Sequence, residues 1–82
     1  MNELQKGLPT LQELIELELP GYSVACEKAE IEGRMVLRFT FTPAVGYTMA
    51  LVDSHALAPT IDNAKMIAGL VVDAQEMMVK YS

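Results

Sequence analysis

The fold class predicted by this sequence is α+β: a two-layer domain in the order α-β-β-β-α, with a three-stranded antiparallel sheet and both helices on one of its faces. Three observations carry that expectation. Met35, Leu37, Phe39 and Phe41 alternate with Val36, Arg38, Thr40 and Thr42, the period of a strand with one buried face. Residues 60–80 repeat apolar side chains at helical spacing. The third is size: 82 residues, 51% of them hydrophobic, bury only roughly 60–65% of the surface exposed by the unfolded chain. One small domain spanning residues 1–82 is therefore expected, without the depth for an enzyme cleft.

The first helix opens at Thr10. With Glu13 three residues on, Thr10 has the form of a capping box, in which hydroxyl and carboxylate satisfy backbone donors that the first turn leaves free. Leu11, Leu14 and Ile15 share one side, Glu13 and Glu16 lie away from it, and Pro20-Gly21 stops the run, since proline disfavours helix in the residue before it. That places the helix at residues 10–18. From Tyr22 the period becomes two, with Tyr22, Val24 and Cys26 alternating with Ser23, Ala25 and Glu27. Glu32-Gly33 supplies a glycine where a tight connection needs positive φ. With these two as the loop, Ile31 pairs with Arg34, Val24 with Phe41, Cys26 with Phe39 and Glu27 with Arg38. This register gathers apolar side chains on one face and an opposite-charge pair on the other. Pro43 to Gly46 reads as a turn, and Tyr47, Met49 and Leu51 alternating with Thr48, Ala50 and Val52 read as a third strand. Residues 53–59 then form a loop to Thr60, a good N-cap, with Asp62 in the first helical turn, where the dipole favours an anion.

The second helix, residues 60–80, has an unusually wide dry face. At 100° per residue, Asp62, Lys65, Gly69, Asp73, Glu76 and Lys80 fall within roughly 80°, and nearly all the remaining positions are apolar. Ile67, Val71 and Met78 form its centre, flanked by Met66, Leu70 and Met77 on one side and by Val72 and Val79 on the other. One flank can meet the first helix; the other either closes against the sheet or is exposed and binds something. Methionine suits both a core and an adaptable contact surface.

Charge is unevenly distributed. Eleven acids against six bases give −5, and residues 1–33 carry seven Glu against Lys6 and Lys28, while the remainder is balanced. Such a region repels phosphate backbones and favours a basic surface on a partner, or simply forms a solvated helix face. The longest apolar run, Met66 to Val72, is far short of the roughly 20 residues that span a bilayer, and no basic-then-apolar leader opens the sequence. A soluble, cytoplasmic chain without membrane contact is expected. One Cys excludes an internal disulfide, as a reducing compartment allows.

Residues able to carry chemistry are few. Cys26 and His55 are the only ones of their kind, with Asp53 nearby as a formal orienter, but the register puts Cys26 inside the sheet, where a thiol behaves as a small hydrophobe. Asp53-Ser54-His55 has the letters of a hydrolase triad without a nucleophile-elbow pattern, and reads as a turn. One His and one Cys do not furnish a zinc site, the Asp residues lack calcium-loop spacing, and the glycines form no phosphate cradle. No catalytic residue, metal, cofactor or small-molecule substrate is expected.

Three segments resemble the double-stranded-RNA-binding domain. Leu19-Pro20-Gly21-Tyr22-Ser23-Val24 is similar to that family's Leu-Pro-x-Tyr entry into its first strand, Arg38-Phe39-Thr40-Phe41-Thr42 to its second strand, and Thr60-Ile61-Asp62-Asn63-Ala64-Lys65 to its Ser-Lys-Lys-x-Ala-Lys helix start. Ala68 agrees as well. The resemblance implies the α-β-β-β-α order. Ile61 and Asp62 occupy the two leading lysine positions, and Ile31-Glu32-Gly33-Arg34 stands where the family has its Gly-Pro-x-His loop. Phosphate and minor-groove contacts are thereby lost, and the resemblance points to the branch of the family that serves as protein-binding or dimerisation modules.

The function expected is a non-catalytic protein-interaction module. It acts either as a homodimer through Met66, Leu70, Met77 and Tyr81, with an exposed sheet edge, or as a small acidic adaptor or inhibitor, of the kind found among phage accessory proteins, whose Glu13 and Glu16 region docks a basic site. The alternative is duplex nucleic-acid binding through Lys65, Arg34 and Arg38.

Overall fold

In the computed structural model, which describes residues 8–55 and 57–81, Thr10 starts the first helix by reciprocal capping. Its Oγ1 accepts the Glu13 N–H at 3.1 Å while the Glu13 carboxylate accepts the Thr10 N–H at 2.9 Å. Helix α1 (Leu11–Glu18) buries Leu11 and Ile15. It ends at Leu19, whose N–H reaches the Ile15 and Glu16 carbonyls and whose side chain is itself buried. Glu3 and Lys6, part of the acidic N-terminal region, lie outside the described residues.

Strands β1 (Tyr22–Ile31) and β2 (Arg34–Pro43) form a ten-on-ten antiparallel hairpin. Its two loop residues, Glu32 and Gly33, both have positive φ, 52° and 77°, the backbone that matches the twist of the strands. The register pairs Ile31 with Arg34, Glu27 with Arg38, Cys26 with Phe39 and Val24 with Phe41, as the alternation of the sequence predicts. Arg38 and Glu27 form an ion pair on the face away from the helices.

Strand β3 (Met49–Asp53) pairs antiparallel with β2, giving the sheet order β1-β2-β3. It starts two residues later than its period suggests. Tyr47 stays out of the ladder, where its register partner Pro43 has no N–H to donate, and Gln75 takes both of its backbone groups: the Gln75 Oε1 accepts the Tyr47 N–H at 2.8 Å and its Nε2 donates to the Tyr47 carbonyl at 2.9 Å. A side-chain amide thus replaces a strand partner.

Helix α2 (Ile61–Lys80) is capped by Thr60, whose Oγ1 accepts the Asn63 N–H at 3.1 Å. Asp62 in the first turn and Lys80 in the last both complement the helix dipole. The two helices share one core with the inner sheet face, made by Leu11, Ile15, Leu19, Val24, Phe39, Phe41, Ala64, Ile67, Ala68 and Val71. This is the α+β, α-β-β-β-α architecture, with the helices on one side of an open sheet.

Candidate protein-interaction surface

Helix α2 has 20 residues and α1 has eight, lengths of about 30 and 12 Å at 1.5 Å per residue. The shorter helix therefore leaves much of the longer one without a neighbour. Only Ala64, Ile67, Ala68 and Val71 of α2 are buried, all in its first eleven residues. Met78, expected at the centre of the dry face, is 42% exposed because it lies past the point where core side chains reach.

Both flanks of α2 are open, and one carries the predicted contact residues. Met66, Leu70, Met77 and Tyr81 are 49, 53, 60 and 74% exposed. Met66, Leu70 and Met77 form one stripe, within about 40° of arc on the helix, and Tyr81 caps its end, with the Lys80 ammonium 5.6 Å over its ring. Leu70 and Ala74 of that side form a groove of about 250 Å³ with Met49 and Leu51 of β3, floored by Phe41. The stripe therefore lies on the β3 side of the helical layer. Asp73 and Glu76 stand beside Met77, with Lys80.

Glu13 and Glu16 are not brought to this stripe. They are exposed on α1, which packs over β1, and the Glu13 carboxylate is engaged in its cap. The acidic and apolar parts of the expected interface thus occupy different sides of the molecule. The three cations of the nucleic-acid alternative do not share a face either: Arg34 and Arg38 lie in the set of β2 residues turned away from the core, Arg38 paired with Glu27, whereas Lys65 is on α2.

The two edges of the sheet are unlike. In an antiparallel ladder bonded and non-bonded pairs alternate, and the hairpin's closing pair, Ile31 with Arg34, sets the phase. Even-numbered β1 residues, Val24 among them, then point their backbone groups outward, and so do Ala50 and Val52 of β3. On the β1 edge the Gln12 Nε2 donates to the Val24 carbonyl at 2.7 Å, and Glu27, Lys28 and Glu30 lie along the strand. The β3 edge, Met-Ala-Leu-Val-Asp, has no proline, lysine or arginine. Neither Gln12 nor Gln75 was legible as a bridging residue in the sequence. The available signal was a lone amide on an otherwise apolar side of a helix.

The remaining candidates are quiescent in place. Asp53 is buried, and its two carboxylate oxygens accept the N–H groups of His55 and Leu57, both at 2.9 Å, which makes the Asp53-Ser54-His55 segment a turn. Burial, with the carboxylates of Asp53 and Glu27 behind it, pushes the Cys26 thiol above its ordinary pKa. Among the described residues no group of three or more His, Cys, Asp or Glu is placed to hold a metal ion, and no helix is long and apolar enough to cross a membrane. Comparison with family models, curated proteins and solved structures yields no match.

Proposed function

We propose that this chain is a non-catalytic protein-interaction module, a small acidic adaptor or inhibitor that docks on a larger protein through the β3-side flank of α2. The observation that carries this reading is the exposure of Met66, Leu70 and Met77 on one stripe, with Tyr81 at its end. A water-facing row of large apolar side chains opposes solubility unless a partner covers it. Charge favours a different protein over a second copy, since self-association sets −5 against −5 whereas a basic surface is attracted.

The test begins with crosslinked capture from the native host and continues with the identified partner as a purified protein. Leu70→Asp and Met77→Asp are expected to weaken that binary complex at least tenfold while leaving the circular dichroism spectrum unchanged, and binding should fall as salt rises. Unaltered affinity in both variants overturns the assignment. Sedimentation of the isolated chain is expected to give a monomer, and a tight dimer abolished by the same substitutions would replace the adaptor by a homodimer.

A further inference from the structure

Two helices lying side by side occupy about 20 Å, because their axes settle 8–10 Å apart, whereas three strands about 4.8 Å apart provide only about 14 Å of sheet. The shortfall lies on the β3 side. At β1 the helical layer is tied to the strand edge by Gln12, but at β3 Leu70 and Ala74 stand over an open groove beside Met49 and Leu51, and Leu70 is 53% exposed. One more strand next to β3 widens the sheet to about 19 Å, matching the helices above it.

We propose that β3 accepts an extended segment of the partner protein as a fourth strand, with apolar side chains at alternate positions entering the groove beneath Leu70 and Ala74. This deepens the docking reading above and rests on it. The outward backbone groups of Ala50 and Val52 supply two donors and two acceptors, enough for four ladder hydrogen bonds. The edge is short, five residues, yet it has no proline, lysine or arginine to discourage strand addition, and its one charged side chain, Asp53, is buried and held by the His55 and Leu57 N–H groups. The facing side chains, Met49 and Leu51, alternate toward the groove, so an incoming strand is read at every second residue.

A second copy of the chain fits this edge poorly. With α2 lying over the β3 edge, a two-fold axis beside β3 sets the two α2 axes closer than the roughly 8–10 Å that packed helices need. A lone strand brings no helix with it.

The experiment pans a random peptide display library on the purified full chain and follows the most enriched peptide, synthesised, by amide NMR. Enriched sequences are expected to carry apolar residues at alternate positions, to give intermolecular NOEs to the Ala50 and Val52 amides, and to slow exchange of those two amides at least tenfold. Val52→Pro, which removes one outward donor, should weaken binding tenfold or more, and Val52→Thr, which keeps it, should stay within threefold. A library that yields no binder, a helical peptide lying on the Met66–Tyr81 stripe, or a peptide whose NOEs avoid β3 overturns strand addition. If Leu70→Asp and Met77→Asp abolish partner binding while the Ala50 and Val52 amides stay unprotected in the complex, the docking role stands and the added strand falls. If neither pair of residues matters, both fall.

Discussion

Replacing Gln75 by Leu should loosen the β2–β3 connection by an amount that can be worked out from two hydrogen bonds. The amide holds both backbone groups of Tyr47, at 2.8 and 2.9 Å, and lies 3.4 Å from the Tyr22 hydroxyl. A net hydrogen bond contributes about 0.5–1.5 kcal/mol. Tyr47 is exposed, so water can replace the lost partner, and Gln75→Leu should cost about 1–2 kcal/mol in total. For a domain of this length that corresponds to a drop in Tm of roughly 4–16 °C. Gln75→Glu sharpens the test because it keeps the acceptor for the Tyr47 N–H but turns an acceptor toward the Tyr47 carbonyl. The introduced carboxyl can donate there only when protonated, so folding should raise its pKa above the unfolded value of about 4.3. Its stabilising contribution is then fully present below that pH and lost as pH rises through the folded value. Urea titrations at pH 4 and pH 7, each against the parent chain, read both effects. A Gln75→Leu chain within 0.3 kcal/mol of the parent (about the limit of additivity), or a Gln75→Glu penalty that does not shrink at pH 4, refutes the clamp.

Three further outcomes follow from single residues. Gly46 has φ 131°, and a Cβ there would stand 2.8 Å from the Gln75 Oε1, so Gly46→Ala should destabilise by about 1–3 kcal/mol; it should do so by less in a Gln75→Ala background, as a double-mutant urea cycle can show. Asp53→Ala removes the acceptor of two buried-side N–H groups and should cost about 1–3 kcal/mol, with loss of amide-exchange protection at His55 and Leu57. Cys26 has a raised pKa, from burial first and then from the Asp53 and Glu27 carboxylates, so its thiol should alkylate with iodoacetamide more slowly in the folded chain than in urea. By linkage, the stability it contributes is present below the unfolded thiol pKa of about 8.5 and is lost as pH rises through the folded value, and Cys26→Ala should flatten that alkaline slope in urea titrations.

Much of the fold is legible because its signals are local or periodic. The capping box needs only Thr10 and Glu13, and the hairpin register follows from one two-residue turn and an alternation that admits no one-residue slip without inverting both faces. The stripe of Met66, Leu70 and Met77 is likewise a matter of helical angle. What periodicity does not encode is coverage. Val71 and Met78 share the centre of the dry face, yet one is 2% and the other 42% exposed, because burial depends on how far along the helix the core beneath it extends. The Gln75 clamp joins residues 28 positions apart, a separation at which no sequence window sees both partners.

The amino-acid order therefore determined the elements, their faces and the hairpin pairing, all set by interactions among near neighbours or by a repeat that chain geometry enforces. Only the folded arrangement decided that both flanks of α2 face water, which sheet edge is guarded by Gln12, and that Glu13 and Glu16 lie apart from the apolar stripe. These depend on a mismatch between the width of two helices and the width of three strands, a property of the assembled layers that no single segment carries.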